Sequence, residues 1–183
     1  MVRELTADLV LARSKIDNLS MVKKVNVWGN DIEDVKILRQ MPNVEILSLS
    51  VNRINTLKEF SYCPKLQELY LRKNNIADLS EIRYLINLSD LKILWLWDNP
   101  CADAPNYREY VIKALPNLTK LDNDPVTQEE RAAASKLNIN FSDFALSPKE
   151  QKNSNSEYQK GFEKQPSQRA VYLVWDISFI DFF

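Results

Sequence analysis

Apolar residues recur at a fixed spacing through the first half of this chain. The pattern L-x-x-L-x-L-x-x-N-x-I-x-x-L occurs in two successive copies, and Asn74 of the second copy lies 22 residues beyond Asn52 of the first. Partial copies on either side contain Asn30, 22 residues before Asn52, and Asn99, 25 residues after Asn74. A period in this range indicates stacked structural repeats, so we predict four repeats over residues 21–100.

The spacing within one copy predicts a short strand followed by a turn. In L-x-L the two apolar residues point to one face of the strand and the x residues point to the other. A single repeat cannot bury its apolar face alone, so neighbouring repeats stack and share one core. The asparagine turns the chain off the strand, and its amide is expected to bond backbone groups that burial would otherwise leave unpaired. We therefore predict a structural ladder made of Asn30, Asn52, Asn74 and Asn99.

This pattern is the signature of leucine-rich repeats, and it predicts an α/β fold. The expected architecture is a right-handed leucine-rich-repeat solenoid with short parallel strands on its concave face, an N-terminal helical cap and a C-terminal leucine-rich-repeat cap. Apolar residues about three apart follow the strands, which favours 3₁₀ or short α turns on the convex side.

Residues 1–20 are predicted to form the N-terminal cap. Apolar residues recur there at helical spacing, and Thr6 is a suitable helix N-cap. The alternative aligns Leu9 and Leu11 with a degenerate repeat. The helix is favoured because Ser14 would otherwise replace the asparagine of the pattern. Either structure would close the open end of the stack, since terminal repeats are atypical.

Residues 101–140 are predicted to form the C-terminal cap. Pro100 interrupts the regular pattern directly after the last asparagine. Asp103 and Pro105 are then expected to open a helix, because proline is favoured in the first helical turn. Residues 118–121 are predicted to add a final short strand.

Capping chemistry and composition define the remaining segments. Thr127 and Glu130 have the spacing of a capping box, which predicts the start of a second helix in the C-terminal cap. Residues 141–169 are polar and are predicted to be a disordered linker. Residues 170–183 are abruptly apolar but too few to span a bilayer. Their role is unknown. They are either an unstructured end or a segment that docks on a partner or on the solenoid.

Composition limits the chemistry that the chain can perform. The sequence has no histidine, two glycines, and 24 basic against 25 acidic side chains. Histidine-based triads, histidine zinc ligands and a glycine-rich phosphate loop are therefore excluded, and the balanced charge gives no field that would draw nucleic acid. Cys101 has no base to activate it, and Cys63 lies in a different repeat. We predict no catalytic residue, no metal, no cofactor and no small-molecule substrate. Direct nucleic-acid binding and a membrane span are not expected either. The low cysteine count is typical of a protein in a reducing compartment.

The x positions of the strands predict which side chains face outward. A face without a role should be mostly polar, yet several of these positions are aromatic or aliphatic. Aromatic and arginine side chains are frequent anchors of protein interfaces. The candidate partner-binding residues on the concave face are Trp28, Ile46, Glu68, Tyr70, Arg72, Ile93, Trp95 and Trp97. The alternative is that these rings pack on each other or beneath the cap helices or the C-terminal segment.

Arg53, Arg72 and Lys73 form a small basic group near this face. Surface charges rarely need a role, which favours a solvated rim. The alternative is a contact with phosphate or with an acidic peptide.

The repeats and the segments around them resemble the cilia- and flagella-associated protein 410 family, within the 22-residue class of leucine-rich repeats. The resemblance extends over roughly Leu5 to Glu130. The segments that carry it are LTADLVLARSK, VNVWG, MPNVEILSLSVNRINTL, LQELYLRKNNIADL, LWLWDNPC and KLDNDPVTQEE.

The resemblance implies a non-enzymatic role at the basal body or ciliary base, in cilium formation and cytoskeletal organisation. It also implies a NIMA-related kinase as a partner and a link to DNA-damage repair. That family ends in a short helical oligomerisation segment, which residues 170–183 do not resemble. Two alternatives are a ribonucleoprotein assembly factor and a phosphatase regulatory subunit of the leucine-rich-repeat type. Nuclear staining with RNA-dependent co-purification would indicate the first, and co-elution with a phosphatase catalytic subunit the second.

Overall fold

One short strand from each repeat joins a single sheet in chain order. The computed structural model describes residues 2–138, so the predicted linker 141–169 and apolar tail 170–183 lie outside the described residues. The four parallel strands of the repeats are β1 (Lys24–Asn26), β2 (Ile46–Ser48), β3 (Glu68–Tyr70) and β4 (Ile93–Trp95). The two-residue strand β5 (Lys120–Leu121) continues the parallel order, and β6 (Asp124–Pro125) closes the sheet as an antiparallel partner of β5.

The return segments complete each repeat as 3₁₀ turns, as the threefold apolar spacing predicted. Those turns are Lys36–Gln40, Lys58–Tyr62 and Leu79–Tyr84. Their inward side chains and the inward residues of the strands form one continuous core, in which Phe60, Leu47 and Leu69 have no exposed surface. The parallel sheet and the shared core confirm the predicted fold class.

Each repeat turns off its strand through one residue in the left-handed region. These residues directly precede the four asparagines and are Gly29, Val51, Lys73 and Asp98. Glycine tolerates this conformation, whereas a β-branched residue is disfavoured there. Val51, with a φ of 58°, is therefore a strained position that the apolar pattern did not reveal.

The segment before the first repeat contains the predicted helix. Helix α1 runs over Ala7–Ser14, and the Thr6 hydroxyl accepts a hydrogen bond from the Leu9 amide at 3.3 Å. The helix is shorter than the apolar spacing indicated. Just before it, Glu4 pairs with Asp34 as an isolated parallel bridge. The start of the chain thus pairs with the return side of the first repeat and adds no strand to the sheet.

After β4 the structure corrects one prediction. Pro100 opens a 3₁₀ turn over Pro100–Asp103, and helix α2 begins only at Tyr107 and runs to Ala114. The reason is Asn106, whose backbone lies in the left-handed region with a φ of 57°, so a right-handed helix begun at Asp103 or Pro105 cannot pass through it. Cys101, whose amide donates to the Ile76 carbonyl at 2.9 Å and whose side chain is buried, anchors the 3₁₀ turn on the preceding repeat.

The predicted capping box is present at the start of helix α3 (Gln128–Ser135). The Thr127 hydroxyl accepts from the Glu130 amide, and the Glu130 carboxylate accepts from the Thr127 amide at 2.9 Å. The short strand predicted at residues 118–121 is present as β5. The antiparallel strand β6 was not predicted, because two residues carry no periodicity.

Candidate protein-interaction surface

The strand register places the outward residues in straight rows across the sheet. In each strand the central residue is buried, so its two neighbours face the opposite side. The first row consists of Lys24, Ile46, Glu68, Ile93 and Lys120, and the second of Asn26, Ser48, Tyr70 and Trp95. The members from the four repeats are the outward positions expected from the L-x-L spacing, and Lys120, which was not among the predicted positions, extends the first row onto β5.

A third row continues beyond the ends of the strands. Backbone hydrogen bonds hold the chain in the same register there. The amides of Gly29, Val51 and Lys73 donate to the carbonyls of Ser50, Arg72 and Trp97, respectively. Trp28, Ser50, Arg72 and Trp97 therefore occupy equivalent positions in successive repeats.

The aromatic residues do not form one continuous surface. Tyr70 and Trp95 are neighbours, with ring centroids 5.6 Å apart in an edge-to-face arrangement. Trp97 follows Trp95 in the adjoining row and is 59% exposed. Trp28 is equally exposed, at 62%, but Ser48 and Ser50 of the second repeat lie between it and the other rings. The structure thus groups Tyr70, Trp95 and Trp97, which we call the aromatic cluster, and leaves Trp28 at the far end.

Polar contacts fix the inner part of the cluster. The Tyr70 hydroxyl donates to a carboxylate oxygen of Glu68 at 2.6 Å. Burial and the neighbouring Glu68 charge raise the pKa of Tyr70 to about 12, so it stays a donor at neutral pH. The Lys120 ammonium lies 5.7 Å from the Trp95 ring centre. Two of the three rings are therefore preorganised by contacts that involve no partner.

The predicted basic group is largely neutralised. Arg72 Nε contacts Asp98 Oδ2 at 3.0 Å, and Arg53 Nε contacts Asp31 Oδ1 at 3.2 Å. Both pairs are well exposed. A pair of this kind leaves little free positive charge to attract phosphate, which favours the solvated-rim interpretation.

Three of the four predicted ladder asparagines share one environment. Asn52, Asn74 and Asn99 are buried, and each amide donates to backbone carbonyls of its own strand end and of the preceding repeat. Each side-chain oxygen accepts a backbone amide from the preceding repeat, as Asn74 does from Ile54 at 3.0 Å. Asn30 differs, since no repeat precedes it, and its amide donates only to the Trp28 carbonyl.

One functional position was missed by the sequence reasoning. Asp122 takes the place of a ladder asparagine at the end of β5, and its Oδ1 accepts from the Leu96 and Trp97 amides at 2.7 and 2.9 Å. Its Oδ2 accepts from the Tyr107 hydroxyl at 3.0 Å. Burial and this carboxylate raise the pKa of Tyr107. The repeat pattern predicts an asparagine at the end of a strand, whereas β5 ends before an aspartate, Asp122, 23 residues after Asn99.

A cleft of about 450 Å³ opens between this aspartate and the aromatic cluster. Its lining consists of Arg72, Trp95, Trp97, Asp122, Asn123 and Asp124. Among the described residues, Trp95 Nε1 is the one buried side-chain nitrogen or oxygen without a hydrogen-bond partner. An unsatisfied buried donor is uncommon in a folded protein, and here it belongs to a residue of the cleft wall.

The cysteines do not form a reactive site. Cys63 and Cys101 are both buried and free. Burial raises the pKa of the Cys101 thiol to about 11 and raises that of Cys63 as well. Within residues 2–138 there is also no group of three or more acidic or cysteine side chains that could hold a metal ion, and no helix there is long and apolar enough to cross a membrane.

The repeats match a protein family and several curated proteins. A family model described as leucine-rich repeat matches residues 9–142. Cilia- and flagella-associated protein 410 from human is 46% identical over 133 residues, which cover 72% of this chain and 52% of that protein. The mouse protein of the same name is equally similar. The chain therefore spans about half the length of the curated relatives that it matches.

A solved structure shows the same fold. The crystal structure titled as the SNF/U2A' complex of Drosophila melanogaster superposes with a TM-score of 0.57 at 24% identity. The match covers 85% of this chain and 99% of the fly chain. At this identity the likeness supports the repeat architecture alone.

Proposed function

This chain belongs to the leucine-rich-repeat family, and we propose that it is a non-enzymatic protein-binding module of the ciliary base. In this role it supports cilium formation and cytoskeletal organisation. The similarity to proteins named for cilia and flagella supports the cellular setting. The protein-binding role is inferred from the side chains on the outward face of the sheet.

The observation that carries the binding role is the exposed aromatic cluster. Trp97 is 59% exposed beside the half-buried Tyr70 and Trp95, and no helix of residues 2–138 covers it. Exposed apolar surface of this kind marks a contact site, and tryptophan is enriched among the residues that dominate binding energy. Tyr70 and Trp95 lie on strands, and the Trp97 carbonyl accepts the Lys73 amide at 2.9 Å in the turn after β4, so binding requires little ordering of the surface.

A NIMA-related kinase is the first partner to test, since the sequence resemblance implies one. In ciliated cells, the full-length chain and its Trp97→Ala variant are each fused to a proximity-labelling enzyme and compared. We expect the variant to lose the kinase and other basal-body proteins while its melting temperature stays within about 2 °C of the parent, because an exposed side chain contributes little to folding.

Trp28→Ala is the matched control for this experiment. It removes the same residue type at the same row position and with similar exposure, but at the far end of the sheet. It should retain the partners that Trp97→Ala loses. Unchanged labelling by the Trp97 variant would contradict binding through the cluster. Nuclear labelling that depends on RNA would instead support a ribonucleoprotein role.

A further inference from the structure

The cleft beside Trp97 contains a buried carboxylate that no cation neutralises. Asp122 is 5% exposed, and its three hydrogen-bond donors are two backbone amides and the Tyr107 hydroxyl, all of them neutral. No basic side chain of residues 2–138 lies within ion-pair distance of it. Buried charges are normally paired, since removal from water is costly. The cleft floor therefore carries a carboxylate that three neutral donors hold and that no ion pair within the described residues neutralises.

A second carboxylate lies at the mouth of the same cleft. Asp124 is exposed on β6, and its side chain makes no hydrogen bond or ion pair within the described part of the chain. The turn between β5 and β6 fixes its position two residues beyond Asp122. This carboxylate is free to bind a group that enters from solvent.

The one basic residue in the lining does not cancel these charges. Arg72 is already paired with Asp98, which lies outside the lining. Lys120 lies near the Trp95 ring rather than against either carboxylate. The unpaired charge at the cleft is therefore negative.

The Trp97 ring supplies the second feature that a cation recognises. It makes no ring-stacking or cation–π contact with another residue of the described chain and is largely exposed. A guanidinium group binds an indole face by cation–π attraction and stacking, and it can bond a carboxylate through two N–H groups at once. A cleft of about 450 Å³ is large enough for one long side chain.

We propose that this cleft receives an arginine side chain of the partner protein, stacked on Trp97 and bonded to Asp124 above the buried charge of Asp122. The inference rests on the proposed function, because it assigns the chemistry of the partner at the same face. The arginine site would make this end of the sheet the part that selects the partner, while Ile93 and Tyr70 contribute apolar contact.

The test uses short capped peptides and the indole N–H signals of the full-length protein in NMR spectra. The probe is acetyl-Gly-Arg-Gly-amide. Its matched control is the peptide with citrulline, which has nearly the same shape as arginine but no charge. We expect a saturable shift of the Trp97 signal with the arginine peptide, a much smaller one with citrulline, and no shift of the equally exposed Trp28.

Two variants locate the charge that is recognised. Asp124→Asn should weaken arginine-peptide binding about threefold or more, since it removes an exposed ionic contact. Asp17→Asn makes the same chemical change at an exposed aspartate near the other end of the chain, and binding should be unchanged. Equal binding of the citrulline peptide, stronger binding of a glutamate peptide, or an unaffected Asp124 variant would each overturn the proposal.

The two experiments together distinguish a missing arginine site from a missing binding face. Loss of partner labelling by Trp97→Ala, together with no response to the arginine peptide, would overturn the arginine site and keep the binding face. Intact labelling by Trp97→Ala would overturn the binding face, and with it the assignment of the arginine to a partner.

Discussion

Asn74 shows how one side chain joins two neighbouring repeats. Its Nδ2 donates to the Leu71 carbonyl of its own repeat at 2.9 Å and to the Leu49 carbonyl of the preceding repeat at 3.0 Å. Its Oδ1 accepts the Ile54 amide at 3.0 Å. All three backbone groups lie beside the buried core, where water cannot replace the asparagine.

Replacement of Asn74 by alanine should therefore be destabilising. The variant leaves the buried Ile54 amide without a partner, and such a loss costs about 1–3 kcal/mol. The Leu49 and Leu71 carbonyls each keep the bond that they accept from the neighbouring asparagine of the ladder. We expect the free energy of unfolding to fall by about 1–3 kcal/mol. Urea denaturation followed by far-ultraviolet circular dichroism measures this change.

Asn30→Ala is the control for that variant. Asn30 is at the first repeat, is only partly buried, and donates to a single carbonyl. Its replacement should cost less than about 1 kcal/mol. Equal losses for the two variants would show that the asparagines act through turn propensity rather than through bonds between repeats.

At the residue scale the sequence predicts most of the surface and little of the cleft. Alternation within L-x-L is enough to place Tyr70 and Trp95 outward, because a strand has a period of two. The charge at Asp122 was not predicted, since an aspartate replaces the repeated asparagine and the spacing changes at the same place. The separation of Trp28 from the other rings depends on the small side chains at Ser48 and Ser50.

Helix α3 is the element whose stability depends most directly on one acidic side chain. Glu130 closes the capping box and also accepts from Arg108 Nε of helix α2 at 2.8 Å. Partial burial opposes ionisation, but the Thr127 amide and Arg108 outweigh it and lower the pKa of Glu130 below its ordinary 4.5. Arg108 also bonds the Leu121 carbonyl, so this carboxylate connects both helices to the end of the sheet.

The replacement Glu130→Gln should lower stability in a pH-dependent way. Because the folded pKa is depressed, the ionised form stabilises the protein above pH 4.5, and this contribution is lost as pH falls through the lower folded value. Glutamine can still accept from Thr127 but loses the ion pair. We expect a loss of about 0.5–1 kcal/mol at pH 7 for this partly exposed pair.

Thermal unfolding of both proteins between pH 7 and pH 3 checks this expectation. The difference between them should shrink towards zero below pH 4.5. Glu129→Gln, which changes the neighbouring residue without an ion pair, should show a smaller difference at pH 7. A difference that is constant across the pH range would mean that shape rather than charge is lost.

Among the elements, those with a periodic or capping pattern were predictable, and the start of α2, which depends on one residue's backbone conformation, was not. The repeat strands and the 3₁₀ turns follow from apolar spacing, and α1 and α3 from their capping residues. The start of α2 was misplaced because Asn106 adopts a left-handed backbone, with a φ of 57°, through which a helix begun at Pro105 cannot pass. The conformation of a single non-glycine residue leaves no periodic signal in the sequence.

At the scale of the whole molecule, the repeats are equivalent steps along one axis. Val44 and Leu66 occupy the same position in successive repeats, and both are fully buried. Stability in such an array is roughly a sum of repeat and interface contributions. One complete step can therefore be removed if the remaining positions stay in register.

Deletion of residues 45–66 removes one period of 22 residues and joins Val44 to Gln67. We expect a folded, less stable protein with three repeats, about the minimum for a stable stack. Strand β1 would then pair with β3, and Asn74 would accept the amides of Asn30 and Ile32 that Asn52 now accepts. A cooperative thermal transition at a lower temperature would support this.

The deletion also separates the binding cleft from the rest of the array. The cleft residues are unchanged by it, so the arginine peptide should still shift the Trp97 signal, while Trp28 moves closer by one strand spacing of about 4.8 Å. Deletion of residues 45–67 removes one residue more and shortens the approach to the strand, which should prevent the stack from forming. If that protein folds as well as the 22-residue deletion, the repeats are not held in register by the pattern, and the rows on the sheet face lose their basis.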